Sequence, residues 1–264
     1  MSLDLDEDDE QVAHALGQPE QAAGYRRLVA TFGPLCSAVA LAAPAEAATV
    51  GRRHGFSTQV VPNAVRMPTR CGAGRPRRTR GVRLLFVGNL TYLPNIQAAR
   101  CLVEDVLPRL RRALDRPVAV TLVGDVGSGG LWDGPRRRRG VRIAGFVPDL
   151  APLYARADAV VAPIAVGGGT RIKLLEAFAF RVPVVTTPPG AAGLEVIDNQ
   201  HLLLAETAED VAGQVVRVIT DPVFAESLAD AAAELVGARY SYGAVVPRVR
   251  AFLAEAAAAA EGAT

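Results

Sequence analysis

Residues 162–187 read APIAVGGGTRIKLLEAFAFRVPVVTT, and this stretch decides the fold class. An apolar strand, Ala159 to Ile164, runs into three consecutive glycines, Gly167 to Gly169. A helix is expected from Thr170, and a second apolar strand, Val182 to Thr186, follows it. The glycine loop therefore opens a helix N-terminus. Such a terminus carries unpaired backbone N–H groups and a partial positive charge, which suits an anion. The helix also carries Lys173, the one lysine beside 28 arginines. Either this is chance, or the position wants a compact, rotatable ammonium rather than a planar fork.

The same pattern extends in both directions. Upstream come strand Val82 to Gly88, a helix from about Pro94 to Leu114, strand Val118 to Gly124 and a glycine loop, Gly124 to Gly130. Strand Val141 to Phe146 and a short helix, Leu150 to Ala157, complete that side. Downstream, Pro188-Pro189-Gly190 leads to a short strand, His201 to Ala205, and to helices Ala208 to Thr220, Pro222 to Ala238 and Gly243 to Ala260. Strands that are continuous apolar runs, alternating with helices, predict an α/β fold: a parallel sheet covered on both faces. Residues 1–62 read instead as a mostly helical, Ala-rich lead segment, with helical patterns at Ala22 to Ala30 and Pro44 to His54 and a strand at Ser57 to Val61. Its acidic run, Asp4 to Glu10, reads as a solvated helix start, with a metal site as the alternative. The expected organisation is a remnant over 1–65, a linker rich in Arg, Pro and Gly over 66–80, a Rossmann-like domain over 81–240, and a final helix over 241–264.

Composition narrows the function classes. Half of the 264 residues are apolar, enough for a sizeable core, and the net charge of +2 is too small to argue for nucleic acid. Basic clusters at Arg70 to Arg83 and Arg136 to Arg139 have no interleaved aromatics, so they read as solvated loops. Cys36, Cys71 and Cys101 lack metal-ligand spacing and leave one unpaired, which fits a reducing, cytoplasmic setting. No signal peptide and no transmembrane run is read from the sequence, although peripheral membrane contact through the Ala-rich tail stays open. His14, His54 and His201 share no motif, no Ser-His-Asp arrangement is present, and no cofactor or metal is called for.

Ligands of open parallel sheets bind beyond the carboxyl ends of the strands. Four loops should meet there: Gly88-Asn89, Gly124 to Gly130, Phe146 to Asp149 and Gly167 to Thr170. Gly88 and the triple glycine would let a phosphate approach the backbone closely. The N–H groups of Gly169, Thr170 and Arg171 would receive it, with Arg171 and Lys173 adding charge. Glu176, one turn on, could accept from vicinal ribose hydroxyls, or alternatively pair with Lys173 at i,i+3. Neither a dinucleotide fingerprint nor a Walker A loop is present.

Several pieces then occur together in a fixed order. They are VVPNAV (Val60 to Val65), FVGNLTYLPNIQAA (Phe86 to Ala99), LVGD (Leu122 to Asp125), VRIAGFVPDLAPLYARADAVVAPI (Val141 to Ile164), GGGTRIKLLEAFAFRVPVVTT (Gly167 to Thr187) and GAAGL (Gly190 to Leu194). In this the chain resembles the C-terminal, donor-binding half of GT-B glycosyltransferases of the group called glycosyl transferases group 1, or family 4. The resemblance implies that VVPNAV is the hinge between two Rossmann-like domains and that the last helix crosses back to the first. It implies a nucleotide-diphosphate-sugar donor, with Gly88 and Asn89 facing the phosphates and Phe146 and Val147 at the base. Gly168, Gly169 and Thr170 would meet the diphosphate and sugar, and Glu176 the ribose. Glu176 matches the second glutamate of the family's E-x7-E motif, whereas the first falls on Gly168. Asn89 and Asn95 stand where many members carry a basic pair, and Ala192 where a turn often has glutamate. The catalytic group is left unassigned.

Two functions follow from the resemblance. One is a glycosyltransferase that moves a sugar to an acceptor, with retention. The other is a nucleotide-sugar-binding subunit that needs a separate N-terminal-half polypeptide, because few residues precede the hinge. An unrelated nucleotide-binding module is the third alternative.

Overall fold

The apolar runs and the helices between them build two parallel sheets, one in each of two lobes. The computed structural model describes residues 2–68, 81–127 and 139–261. Cys71, most of the 66–80 linker with its basic cluster, Ser128 to Gly130, and Arg136 to Arg138 lie outside the described residues.

The N-terminal lobe opens with strand β1 (Ser2–Leu5), then helices α1 (Asp9–Ala15) and α2 (Pro19–Phe32). Strand β2 (Ala38–Leu41), helix α3 (Pro44–His54) and the two-residue strand β3 (Gln59–Val60) complete it. The three strands pair in parallel in the order β1-β2-β3. The lobe is mostly helical, as read, but β1 and β2 were not foreseen. The acidic run is also not a solvated helix start. Asp4 lies in β1, and Asp8 and Glu10 are buried. Arg53 bonds both carboxylates and Arg26 bonds Glu10, which offsets the cost of burying them. Tyr25, Leu28, Phe32 and Leu35 remain exposed along α2 and the turn after it.

The second lobe follows the predicted alternation. Strand β4 (Val82–Val87) is followed by α4 (Leu93–Arg100), a π-helical stretch over Cys101–Val106, and α5 (Leu107–Ala113). The wider turn runs up to Pro108, which has no N–H to keep the usual ladder. Next come β5 (Val118–Val123), β6 (Val141–Gly145), α6 (Ala151–Tyr154), β7 (Ala159–Ala162) and α7 (Ile172–Ala179). Strand β8 (Val184–Thr186), the short α8 (Pro188–Ala191), β9 (Leu203–Leu204), α9 (Ala208–Thr220), α10 (Pro222–Arg239) and α11 (Tyr242–Glu261) end the chain. The sheet is parallel throughout, in the order β6-β5-β4-β7-β8-β9. Phe86, Leu122, Val160, Val184, Leu174 and Phe178 are all buried between the sheet and its helices.

Two features tie the sheet to its surroundings. Asp158 accepts from the backbone N–H of Arg83 at 2.8 Å and from its guanidinium at 2.9 Å, and so fastens β4 to the start of β7. Asp158→Ala leaves a half-buried guanidinium and a strand N–H without their acceptor, so a loss of about 2 kcal/mol is expected in urea unfolding. The chain also crosses between lobes twice in one place. Val65 and Ser241 form a parallel bridge, and the Val65 N–H bonds the Tyr240 carbonyl at 2.8 Å. Gln59 then bonds Glu255 of α11 at 2.6 Å.

Candidate functional site

The strand order reverses between β4 and β7, which makes that gap the switch point of the sheet. The two loops beside it are the ones that carry Gly88-Asn89 and Gly167 to Arg171. Across from them lie the carboxyl ends of β1 and β2, whose following residues include Glu7, Asp8 and Glu46. The ends of both sheets thus face one cleft.

Lys173 sits at the switch point. Its ammonium donates to Asn95 Oδ1 at 2.5 Å and lies 5.2 Å from the centre of the Phe86 ring. Asn95 is held in turn, since its amide donates to the Asn89 carbonyl at 2.9 Å. A Cβ at Gly88 would fall 2.9 Å from the ammonium, so the glycine leaves the space the lysine needs. Burial, and then the neighbouring Arg171, pull the Lys173 pKa down to about 7. Glu176 does not pair with Lys173. The Asn89 side chain accepts from the N–H and hydroxyl of Thr91 and so shapes its own loop. Gly124 packs beneath the Gly88 carbonyl.

The glycine loop departs from expectation. The helix starts at Ile172 rather than Thr170, with Arg171 at its cap. Arg171 folds back onto the Gly168 carbonyl, reaches Pro189 O at 3.5 Å and lies 4.0 Å from Glu7, so it braces the loop rather than offering a free charge. The loop amides are already engaged by anions. Gly168 N–H donates to Glu7 Oε2 at 3.0 Å, and Gly169 N–H donates to Glu46 Oε1 at 2.7 Å. Glu46 also accepts from Asp8 N–H at 3.0 Å. Two amides of the glycine loop are thus taken by carboxylates of the N-terminal lobe. Three buried atoms able to donate lack partners here: Tyr92 OH, Thr170 Oγ1 and Arg171 Nε. Burial, and then Glu7, push the Tyr92 phenol up to about 12, so it stays protonated.

On the other side of α7 lies a cavity of about 790 Å³, lined by Phe146, Val147, Asp149, Tyr154, Ile172 and Glu176 among others. Tyr154 OH donates to Glu176 Oε2 at 2.9 Å. Burial raises the Glu176 carboxyl, and that hydrogen bond opposes the shift. Phe146 is 77 % exposed at the rim. A second cavity, of about 370 Å³, lies between the lobes, and its lining includes Gly167, Gly168, Asp8 and Glu46. The sequence-derived residues therefore surround one loop but divide between two chambers, with Lys173 and Gly88 at the switch point. Sequence reasoning missed Glu7, Asp8, Glu46, Tyr92 and Tyr154. The acidic run was the only signal for Glu7 and Asp8, and Glu46 had none.

Among the described residues no helix is long and apolar enough to cross a membrane. No curated protein sequence matches the chain significantly. Solved structures do share its fold. TarM of S. aureus, solved with UDP, aligns with a TM-score of 0.75 at 13% identity over 95% of this chain and 50% of its own. HepE of Anabaena, solved with UDP-glucose, gives 0.72 at 16% identity over 96% and 71%. Sucrose-phosphate synthase of Thermosynechococcus elongatus gives 0.65 at 22% over 84% and 59%. The chain spans about half the length of TarM. The family model described as "Glycosyl transferases group 1" matches residues 81–221, which hold the six-stranded sheet and the switch point. The chain therefore belongs to the group 1 glycosyl transferases, with a GT-B-type fold.

Proposed function

We propose that this chain binds a nucleotide-diphosphate-sugar and takes part in transfer of its sugar to an acceptor hydroxyl. The observation that carries the reading is the set of buried donors around the α7 terminus. Tyr92 OH, Thr170 Oγ1 and Arg171 Nε lack acceptors, and no carboxylate among the described residues lies within ion-pair distance of the Lys173 ammonium. A diphosphate, rich in acceptors and charge, is the kind of ligand such a set of donors would suit. The nucleoside then extends into the larger cavity, its pentose hydroxyls on Glu176 and its base near Phe146 and Val147. UDP in TarM and UDP-glucose in HepE make uridine the first nucleotide to try.

In the reaction, the bond from the anomeric carbon to the diphosphate oxygen breaks, and the diphosphate leaves with the electron pair. The acceptor oxygen bonds that carbon on the face the diphosphate leaves, and its proton passes to the departing diphosphate oxygen. Lys173 and the first turn of α7 stabilise the departing charge. No metal or cofactor is needed in this scheme, and retention of configuration is the expected outcome.

Calorimetric titration with UDP and UDP-glucose tests the assignment. Glu176→Ala should weaken both at least tenfold, through loss of a charged acceptor for two hydroxyls, while the melting temperature stays near that of the parent. Unchanged affinity would remove Glu176 from the site. A second reading, a binding subunit that needs a separate N-terminal-half polypeptide, is favoured by the exposed face of Tyr25, Leu28 and Phe32. Sugar transfer by the purified chain alone would exclude it.

A further inference from the structure

The two sides of the glycine loop differ in the kind of hydrogen bond they offer. On the α7 side the uncommitted groups donate, as described. On the side of the 370 Å³ cavity they accept. Asp8 is buried at 4 % exposure and its Oδ2 has no partner, while Glu46 uses one lone pair of each oxygen on Gly169 and Asp8 and keeps the others. Gln11 and Thr49 add further polar groups to the lining. Phosphate oxygens are repelled from such a chamber, whereas hydroxyls are drawn to it. A molecule with an anionic centre, a flat ring at one end and hydroxyls at the other is thereby oriented across the loop.

Glu46 holds a particular place in this chamber. A Cβ built on Gly168 would lie 2.7 Å from Glu46 Oε1. The carboxylate of α3 thus fills the space into which a side chain at residue 168 would grow. The backbone of Gly168 is outside the left-handed region, and a Cβ there would press on the tip of the Glu46 side chain and on Glu7 Cβ, 3.1 Å away.

We propose that Glu46, with Asp8 beside it, binds the hydroxyls of the transferred sugar and sets which sugar is accepted. This rests on the nucleotide-sugar reading above.

The test compares a nucleoside diphosphate with its sugar-bearing form on the full chain, taking uridine, guanosine, adenosine and thymidine compounds and keeping the pair that binds the parent. Glu46→Ala should weaken the nucleotide sugar at least tenfold and leave the nucleoside diphosphate within threefold. A brace that merely holds the loop would instead move both equally, and that result overturns the proposal, as does no change in either. Glu46→Gln, which retains length and one acceptor, should fall between. The double variant Glu46→Ala with Gly168→Glu returns a carboxylate to the chamber from the other side, with Glu7 Cβ, 3.1 Å from the new Cβ, giving way slightly. It should recover sugar-nucleotide affinity to within threefold of the parent. No recovery in a variant that melts with the parent overturns the proposal. If the parent binds none of the four diphosphates, the nucleotide-sugar reading fails and takes this inference with it. If it binds one and sugar affinity ignores Glu46, the inference alone falls.

Discussion

Lys173→Met should give a protein that is more stable than its parent at pH 6 and about 100-fold weaker for a nucleotide diphosphate. The two effects have one cause. The ammonium is buried, and its pKa falls from 10.5 to about 7, so the folded state binds this proton less tightly than the unfolded chain does. With a lowered lysine pKa, the unfolded chain holds more protons between pH 7 and 10.5, and stability rises with pH across that window. At and below pH 7 the folded protein carries the full cost of a desolvated charge. Methionine removes it, and a gain of about 2 kcal/mol is expected, read as a higher melting temperature at pH 6 that converges on the parent near pH 10. The lost affinity corresponds to one charge-assisted contact made in low dielectric. The parent itself should bind UDP-glucose less tightly as pH rises above about 7, because binding then requires proton uptake. A variant destabilised at pH 6 would show that the ammonium is structural.

Gly124→Ala should lose at least about 3 kcal/mol of stability together with nucleotide binding. Gly124 has φ +147°, a conformation L residues rarely adopt, and a Cβ there would enter the Gly88 carbonyl and the backbone of Asn89. The obstacle is backbone on both sides, so no rotamer relieves it. The loop after β4 must move, and with it the floor beneath Asn95 and Lys173. Gly213→Ala is the matched control, because this glycine lies in α9 with open space around it and should gain about 0.5–1 kcal/mol. Urea unfolding of the two variants beside the parent measures the contrast. A loss under 1 kcal/mol at Gly124 would mean that the two loops slide freely past each other.

The second lobe was legible because its central strands are buried on both faces and read as unbroken apolar runs, such as Ala159 to Ile164 and Val118 to Gly124. Glycines marked the carboxyl edge, and the helix that follows the triple glycine carries Lys173 and Glu176 beside it. The first lobe was harder to read. Strand β1 alternates apolar and polar residues at the head of an acidic run, and its charges suggested solvent where the structure has buried ion pairs. The start of α7 was misplaced because Arg171 turns back on the Gly168 carbonyl and holds residues 167–171 out of the helix. The contacts of Glu7 and Glu46 with the loop join residues 161 and 123 positions apart, and no local pattern encodes such pairs.

The side-by-side crossings at Val65 and Ser241 constrain how the lobes can part. Both strands of the connection lie at one margin, whereas the carboxylate contacts to Gly168 and Gly169 lie in the mouth between the sheets. A swing about this doubled seam, like a book opening at its spine, would move the Val65 end least and part Glu7 and Glu46 from Gly168 and Gly169 together.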